Sequence, residues 1–304
     1  MPLICPAETP RFLFAELTDT DLERIDIHDG RIDDWLQVVG EPALRGRDAY
    51  RLAGPTGIRD HDPSDFDFRI WLAWHDASNR IFVAAETLDD EYVNRFDRHG
   101  TASCAEHMRC WDSSVRLWID GDRSGGAFDC RNNTAGPSDR EAAQLEVGAQ
   151  QHYEALPDVH DNGPHVDVGT TYVPIEWPLY PPYSDGAGRT FGLDPVFSVL
   201  EFYVTPFDHL DINSPEASRA TDLYPGRVIG FDITVYDRDD PVGGTYGFDE
   251  TPTSSFDISQ LPHGIMVGKA QATQGLDQFP ASSWAAVKKA SASHDSTDTQ
   301  WGAP

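Results

Sequence analysis

The chain has 304 residues, 39% of them hydrophobic, a content that supports a packed core and excludes a disordered chain. Its 23 Lys plus Arg stand against 51 Asp plus Glu, leaving a formal charge of −28. Nucleic acid and anionic membrane are thereby excluded as partners, since both are gripped by Lys and Arg neutralising phosphates.

Residues 1–22 are mixed and proline-bearing and read as an N-terminal extension. The start, Met1-Pro2-Leu3-Ile4-Cys5-Pro6, shows neither a basic nor an apolar signal region, so no secretory signal is visible. The first element is Arg24–His28, with a turn at Asp29-Gly30 and a second run Ile32–Leu36. Phe68, Ile70, Leu72 and Trp74 alternate with Arg69, Trp71 and Ala73, a strand period, and with Arg80–Thr87 they form a hairpin across His75–Asn79. Val115, Leu117 and Ile119 give the next strand one face and Arg116, Trp118 and Asp120 the other. Ser138 with Glu141 fits a capping box, and Ala142, Leu145, Ala149 and Tyr153 fall at helical spacing, so a helix is expected over 138–156.

Residues 157–196 are rich in Gly and Pro and read as a long connection. Strands resume at Ser198–Thr205 and Val228–Tyr236, and Trp284–Val287 is a candidate closing strand. After Ser291 the composition turns to Ser, Asp, Thr and Gly, predicting a disordered tail over 291–304. The 37 Asp against 14 Glu, with only three lysines, also favour turns between strands over helices. The expected fold is all-β, an antiparallel β-sandwich of jelly-roll type with one inserted helix, over residues 23–290. No apolar run is long enough to suggest a membrane span.

Several segments resemble, in order, those of family 9 carbohydrate-binding modules and the wider DOMON-like group. Ile27-His28-Asp29-Gly30-Arg31-Ile32-Asp33-Asp34-Trp35 resembles the family's opening strand, and the hairpin ending in Leu88-Asp89-Asp90 its second unit. Trp111–Asp122 is similar to a strand that begins with Trp and ends in Ile-Asp-x-Asp. Glu201-Phe202-Tyr203-Val204-Thr205-Pro206-Phe207 is similar to Glu-x-x-Ile-Pro-Trp, and Gly226–Asp239 to a Gly-x-x-Ile-Gly-Phe strand closed by Asp-x-Asp. Ser113, Arg116 and Phe207 depart from the family's usual Asp, Glu and Trp. The resemblance implies non-catalytic binding of a saccharide or polysaccharide, association with polysaccharide breakdown, and an extracellular or cell-surface setting.

Sugars are held by flat aromatic rings against the C–H face of a pyranose and by polar side chains on its hydroxyls. The candidates are the strand residues Trp71, Trp118 and Arg116, with Tyr203 and Tyr236; the loop aromatics Trp111, Trp177, Tyr180 and Tyr183; and the acids Asp89 and Asp90. The competing reading packs the strand aromatics beneath the inserted helix, and the loop aromatics against Pro178, Pro181 and Pro182.

Asp120, Asp122 and Ser124 place oxygens at alternate positions before Gly125, as in the first half of a calcium loop, with Asp129 a candidate fourth ligand. Arg131 occupies the place of the bidentate Glu, and a plain hairpin turn accounts for the same residues. Asp237 and Asp239, with Asp240 and Asp249, form a similar set. Crowded carboxylates repel one another, which makes a structural calcium the candidate cofactor. Cys104, His107, Cys110 and Cys130 allow a zinc site, a disulfide or free thiols.

No nucleophile elbow, metalloprotease helix, P-loop or dinucleotide fingerprint is present. A haem role would need axial ligands for which Met108 and Met266 are available. The rival readings are a glycoside hydrolase or lyase using Asp89, Asp90 and Glu201, and an interaction domain that has lost its sugar site. Much of the acidity falls at strand ends: Asp29, Asp33 and Asp34; Asp89 and Asp90; Asp120 and Asp122; Asp237, Asp239 and Asp240.

Overall fold

The computed structural model of the protein describes residues 12–51, 61–91, 114–122, 150–156, 165–170, 173–174, 177–192, 195–211, 214–237, 244–247 and 263–272. Within them lie β1 (Phe12–Glu16), α1 (Asp19–Leu22), α2 (Asp33–Val38), β2 (Leu44–Arg45), β3 (Tyr50–Arg51), β4 (Phe66–His75), β5 (Arg80–Asp89), β6 (Ser114–Asp120), β7 (Gln150–Leu156) and β8 (His165–Thr170). They continue with β9 (Val173–Pro174), β10 (Ser184–Phe191), β11 (Val196–Val204), β12 (Phe207–His209), β13 (Arg219–Ala220), β14 (Val228–Asp237), β15 (Gly244–Gly247), β16 (His263–Val267) and α3 (Lys269–Ala272).

The main path of the large sheet runs β10-β11-β5-β4-β1-β16-β14-β6-β7-β8-β9, and β12 and β13 form a separate ribbon. Its ladders are antiparallel except at β1, which lies parallel to both β4 and β16. The sheet folds over on itself. Leu72 and Trp74 of β4, Val83 of β5 and Phe202 of β11 share one buried cluster with Leu117 of β6 and Phe231 and Ile233 of β14. Those residues occupy alternate positions of their strands, so each half of the sheet turns one apolar face inward, which makes the architecture a β-sandwich. Phe231 is clamped edge-on by Phe12 and Phe14 of the central strand, with ring centroids 5.1 and 4.8 Å apart.

The outer face of β4, β5 and β11 is covered by the segment from Leu17 to Val39. Trp35, Ile32, Val38 and Val39 pack there against Trp71, Phe82, Val199 and Tyr203 in a second buried cluster. Burying side chains of this size is worth roughly 1.5–3 kcal/mol each, so this cover is a second core.

The expected sandwich and the strands at 66–89, 114–120, 196–204 and 228–237 are present. Four sequence expectations need correcting. Residues 150–156, read as the end of a helix, form β7, pairing antiparallel with β6 so that Leu117 faces Tyr153 in register, and with β8 on its other side; ladder formation with two neighbours overrides local helical spacing. Residues 12–16, read as extension, are the central strand β1. Residues 27–35, likened to an opening strand, instead form turns and the start of α2. There Asp34 accepts the backbone N–H of Asp26 and its carboxylate also accepts that of Trp35, while Asp29 accepts that of Arg31. Such short-range carboxylate bonds compete with a ladder. The connection 157–196 contains β8, β9 and β10.

The first part, 138–149, of the helix expected over 138–156, Trp284–Val287 and the tail 291–304 lie outside the described residues. So do Cys104, His107, Met108, Cys110 and Cys130. Met266 is fully buried among the core residues.

Candidate functional site

One end of the sandwich gathers turns from both halves of the sheet. The β4–β5 turn reaches across to the other half, where Leu223 donates its backbone N–H to Asn79 Oδ1 at 2.9 Å. Arg227 Nη2 donates to the carbonyl of Gly121, just beyond β6, at 2.9 Å and to Asp208 Oδ1 at 3.1 Å. Gly121 has no room for a side chain: a Cβ there would meet Thr221 Oγ1 at 2.1 Å and the carbonyl oxygen of Phe207 at 2.6 Å. These contacts fix the β12–β13 ribbon against the mouth of β6.

Two of the sequence-predicted aromatics, Trp177 and Tyr183, come together on this end, and Tyr180 lies in the same loop. Trp177 lies in a 3-10 turn, Trp177–Leu179, and its ring meets Tyr183 edge-on at 4.7 Å and Phe207 at 5.4 Å. Its indole N–H donates to the carbonyl of Asp211 at 3.2 Å. The loop is closed by Tyr183, whose N–H bonds to Tyr180 O, and by the Ser184 hydroxyl, which donates to Pro178 O. Trp177 and Tyr183 are half-buried, whereas Tyr180 is 63% exposed. Thus Trp177 and Tyr183 pack as a base with Phe207, and Tyr180 of the same loop is left to solvent. Arg80 braces the loop, donating to Pro182 O at 2.9 Å while its guanidinium lies 4.0 Å from the Tyr203 ring centroid. Burial raises the Tyr203 phenol, with the Arg80 charge acting in the opposite sense.

Most of the other predicted site residues lie elsewhere. Trp71 is fully buried in the second core and its indole N–H donates to Gly40 O. Trp118 and Arg116 are also buried, Arg116 lying over the Tyr236 ring at 4.2 Å. Trp71, Trp118 and Arg116 are therefore closed to a sugar. Asp89 and Asp90 sit at the opposite end of β5 from the aromatic loop, where Asp90 donates its N–H to Asp65 O. Asp237 closes β14 at that same far end, whereas Asp120 and Asp122 stand at the aromatic end, so the two sets of candidate metal ligands are apart. Trp111, Ser124, Asp129 and Asp239 lie outside the described residues.

A different acidic group is assembled by the segment that covers β11. Among the described residues, Asp29, Asp34 and Glu201 bring carboxylate oxygens within 4.8 Å of one another, close enough to hold a metal ion. Glu201 is fully buried; Trp35 Nε1 donates to its Oε1 at 2.8 Å and the Arg31 N–H to its Oε2 at 3.1 Å. Burial, and then the nearby Asp34 charge, push the Glu201 carboxyl up to about 9. Asp29 and Asp34 are raised as well, chiefly by burial. The segment approaches closely because residue 30 is glycine, at φ +65° and with Arg189 where a Cβ would stand.

All three acids are visible in the sequence, yet only the fold joins residues some 170 positions apart. The rival catalytic set is not assembled: Glu201 lies on the covered outer face, whereas Asp89 pairs in register with Phe66 of the inner cluster at the far end.

No protein-family model matches the chain, and no curated protein matches it. Among solved structures it is similar to a family 9 carbohydrate-binding module from Caldicellulosiruptor kristjanssonii in complex with glucose, at 14% identity and a TM-score of 0.46, over 84% of this chain and 95% of that one. It is similar also to a family 9 module of that organism in complex with cellotriose, at 13% identity and a TM-score of 0.46, over 88% of this chain and 98% of that one. Family 9 is the family whose ordered strand motifs this sequence resembles.

Proposed function

We propose that the protein binds a saccharide without chemical turnover, at the end of the sandwich that carries Trp177, Tyr180 and Tyr183. The observation that carries this reading is a loop whose Trp177 and Tyr183 pack with Phe207 as a base while its Tyr180 stays 63% exposed. A rigidly mounted, exposed ring beside hydrogen-bonding groups is the chemistry that a pyranose requires. The ordered strand motifs in the sequence support the same reading. Association with polysaccharide breakdown is part of it.

The site is tested by screening the protein on a glycan array with Tyr180→Ala alongside. Retention of a defined set of neutral glycans by the parent protein and its loss in the variant is the expected result. Equal retention by both would move the site elsewhere, and no retention by either would end the saccharide reading.

The proposal includes a structural calcium at Asp29, Asp34 and Glu201, in place of the ligand sets proposed from the sequence. Calcium is a hard cation that takes carboxylate oxygens, and three carboxyl groups this close cannot all ionise without a compensating charge. Bound there, the ion would neutralise the acids and tie the segment 29–35 to β11.

A further inference from the structure

Among the described residues, two large apolar side chains are exposed, Tyr180 at 63% and Tyr224 at 46%. They come from different loops but share one end of the sandwich. Tyr224 begins a built turn: Arg227 donates its N–H to Tyr224 O at 2.9 Å, Gly226 takes φ +90°, and the Gly226 N–H is held by Met266 O at 2.8 Å. The Arg227 guanidinium lies 6.0 Å from the Tyr224 ring centroid.

The β4–β5 turn links the two loops. Arg80 is bonded to Pro182, two residues beyond Tyr180, and Asn79 is bonded to Leu223, the residue before Tyr224. The side-chain bond shown for Asn79 uses its oxygen as acceptor, so its amide N–H groups remain for a ligand. The Arg80 fork has five N–H donors, of which one is engaged by Pro182 O. Along these bonds the Tyr180 loop, the Arg80 and Asn79 donors and the Tyr224 turn follow one another.

We propose that the saccharide site is elongated, with a neutral oligosaccharide chain lying across Tyr180 and Tyr224 and its intervening hydroxyls accepting from Asn79 and Arg80. The proposal rests on the saccharide reading above and extends it, because a single ring on Tyr180 would need neither Tyr224 nor Asn79. A neutral chain fits better than a uronate polymer: Asp76 and Asp222 are exposed beside the two contacts, Asp208 lies nearby, and the whole chain carries −28.

The test is isothermal titration of the full chain with cello- and xylo-oligosaccharides of one to six residues and with oligogalacturonides, using Tyr224→Ala, Tyr224→Phe and Asn79→Ala alongside. Affinity for at least one neutral series should rise with chain length. Tyr224→Ala should lower the affinity for the longest ligand by about two- to ten-fold, the range of one lost aromatic contact, while leaving the shortest unchanged. Tyr224→Phe should retain most of the binding, Asn79→Ala should weaken the longest ligand likewise, and thermal melts should show all three variants folded. Length-independent binding that Tyr224→Ala leaves intact would overturn the elongated site and spare the saccharide reading. Tighter binding of the oligogalacturonides would overturn the neutral ligand. Absence of binding to every ligand would sink both readings.

Discussion

The indole N–H of Trp35 donates to Glu201 Oε1 at 2.8 Å, joining a short helix near the N-terminus to a strand 166 residues later. Both groups are buried, so each satisfies a polar atom that would otherwise be stranded in the second core. Replacing Glu201 by Ala leaves the buried Trp35 indole donor without its acceptor, while the Arg31 N–H keeps Asp29 Oδ1 at 2.8 Å. The expected cost is about 1–3 kcal/mol for the stranded donor, read as a lower midpoint in chemical denaturation.

Because Glu201 is held near 9 against an ordinary 4.5, the folded state retains a proton that the unfolded chain releases. In divalent-free buffer, stability should fall as pH rises from about 4.5 towards 9, by the linkage between proton binding and folding. Thermal melts across that range should show this slope, and Glu201→Gln should flatten it. An unchanged slope in the variant would assign the pH dependence to other groups.

Calcium added at pH 8 should raise the melting temperature of the parent protein and leave Glu201→Gln and Asp34→Asn nearly unmoved. At a hundred times its dissociation constant, the ion would stabilise by about 2.7 kcal/mol. The gain should shrink towards pH 5, where protons compete for the same carboxylates. A calcium response that survives both substitutions would place the ion at another site.

Asp21 accepts the N–H and hydroxyl of Thr18 and pairs with Lys269 at 2.6 Å, joining the α1 cap to α3. Burial alone would raise this carboxyl, but Lys269 and Thr18 more than offset it and lower it to about 2. Its contribution is therefore full above about 4 and lost as pH falls through 2. Asp21→Asn should cost about 1–2 kcal/mol at pH 7, most of it from the cap. The difference between variant and parent should vanish in acid, as read by denaturation at both pH values.

Trp71 and Tyr180 give opposite signatures. Trp71→Ala should destabilise by about 3–5 kcal/mol, as expected for deleting a fully buried aromatic, whereas Tyr180→Ala should stay within about 0.5 kcal/mol of the parent. Denaturation midpoints of the two variants, measured together, check the assignment of one ring to the core and the other to the surface.

The sandwich was legible because its core strands alternate so regularly: Val115, Leu117 and Ile119, like Ile229, Phe231, Ile233 and Val235, all turn inward as their spacing predicts. Spacing could not tell an outer strand face open to ligand from one beneath a cover, so Trp71 read as a site residue although Trp35 and Val39 lie over the same face. Helical spacing around Tyr153 misled because β6 and β8 supply ladder partners that local pattern cannot see. The Asp29, Asp34 and Glu201 group depends on contacts 166 or more residues apart and carries no spacing signature. Tyr224 had a weak signal in its Tyr-Pro-Gly-Arg turn, which marks a tight bend without marking exposure.

The most direct test of the saccharide site is a calorimetric titration of the parent protein and Tyr180→Ala with the best glycan from the array screen. Saturable binding by the parent, weakened by about ten-fold or more in a variant of unchanged stability, is the predicted result. Equal affinity in the two proteins would contradict it.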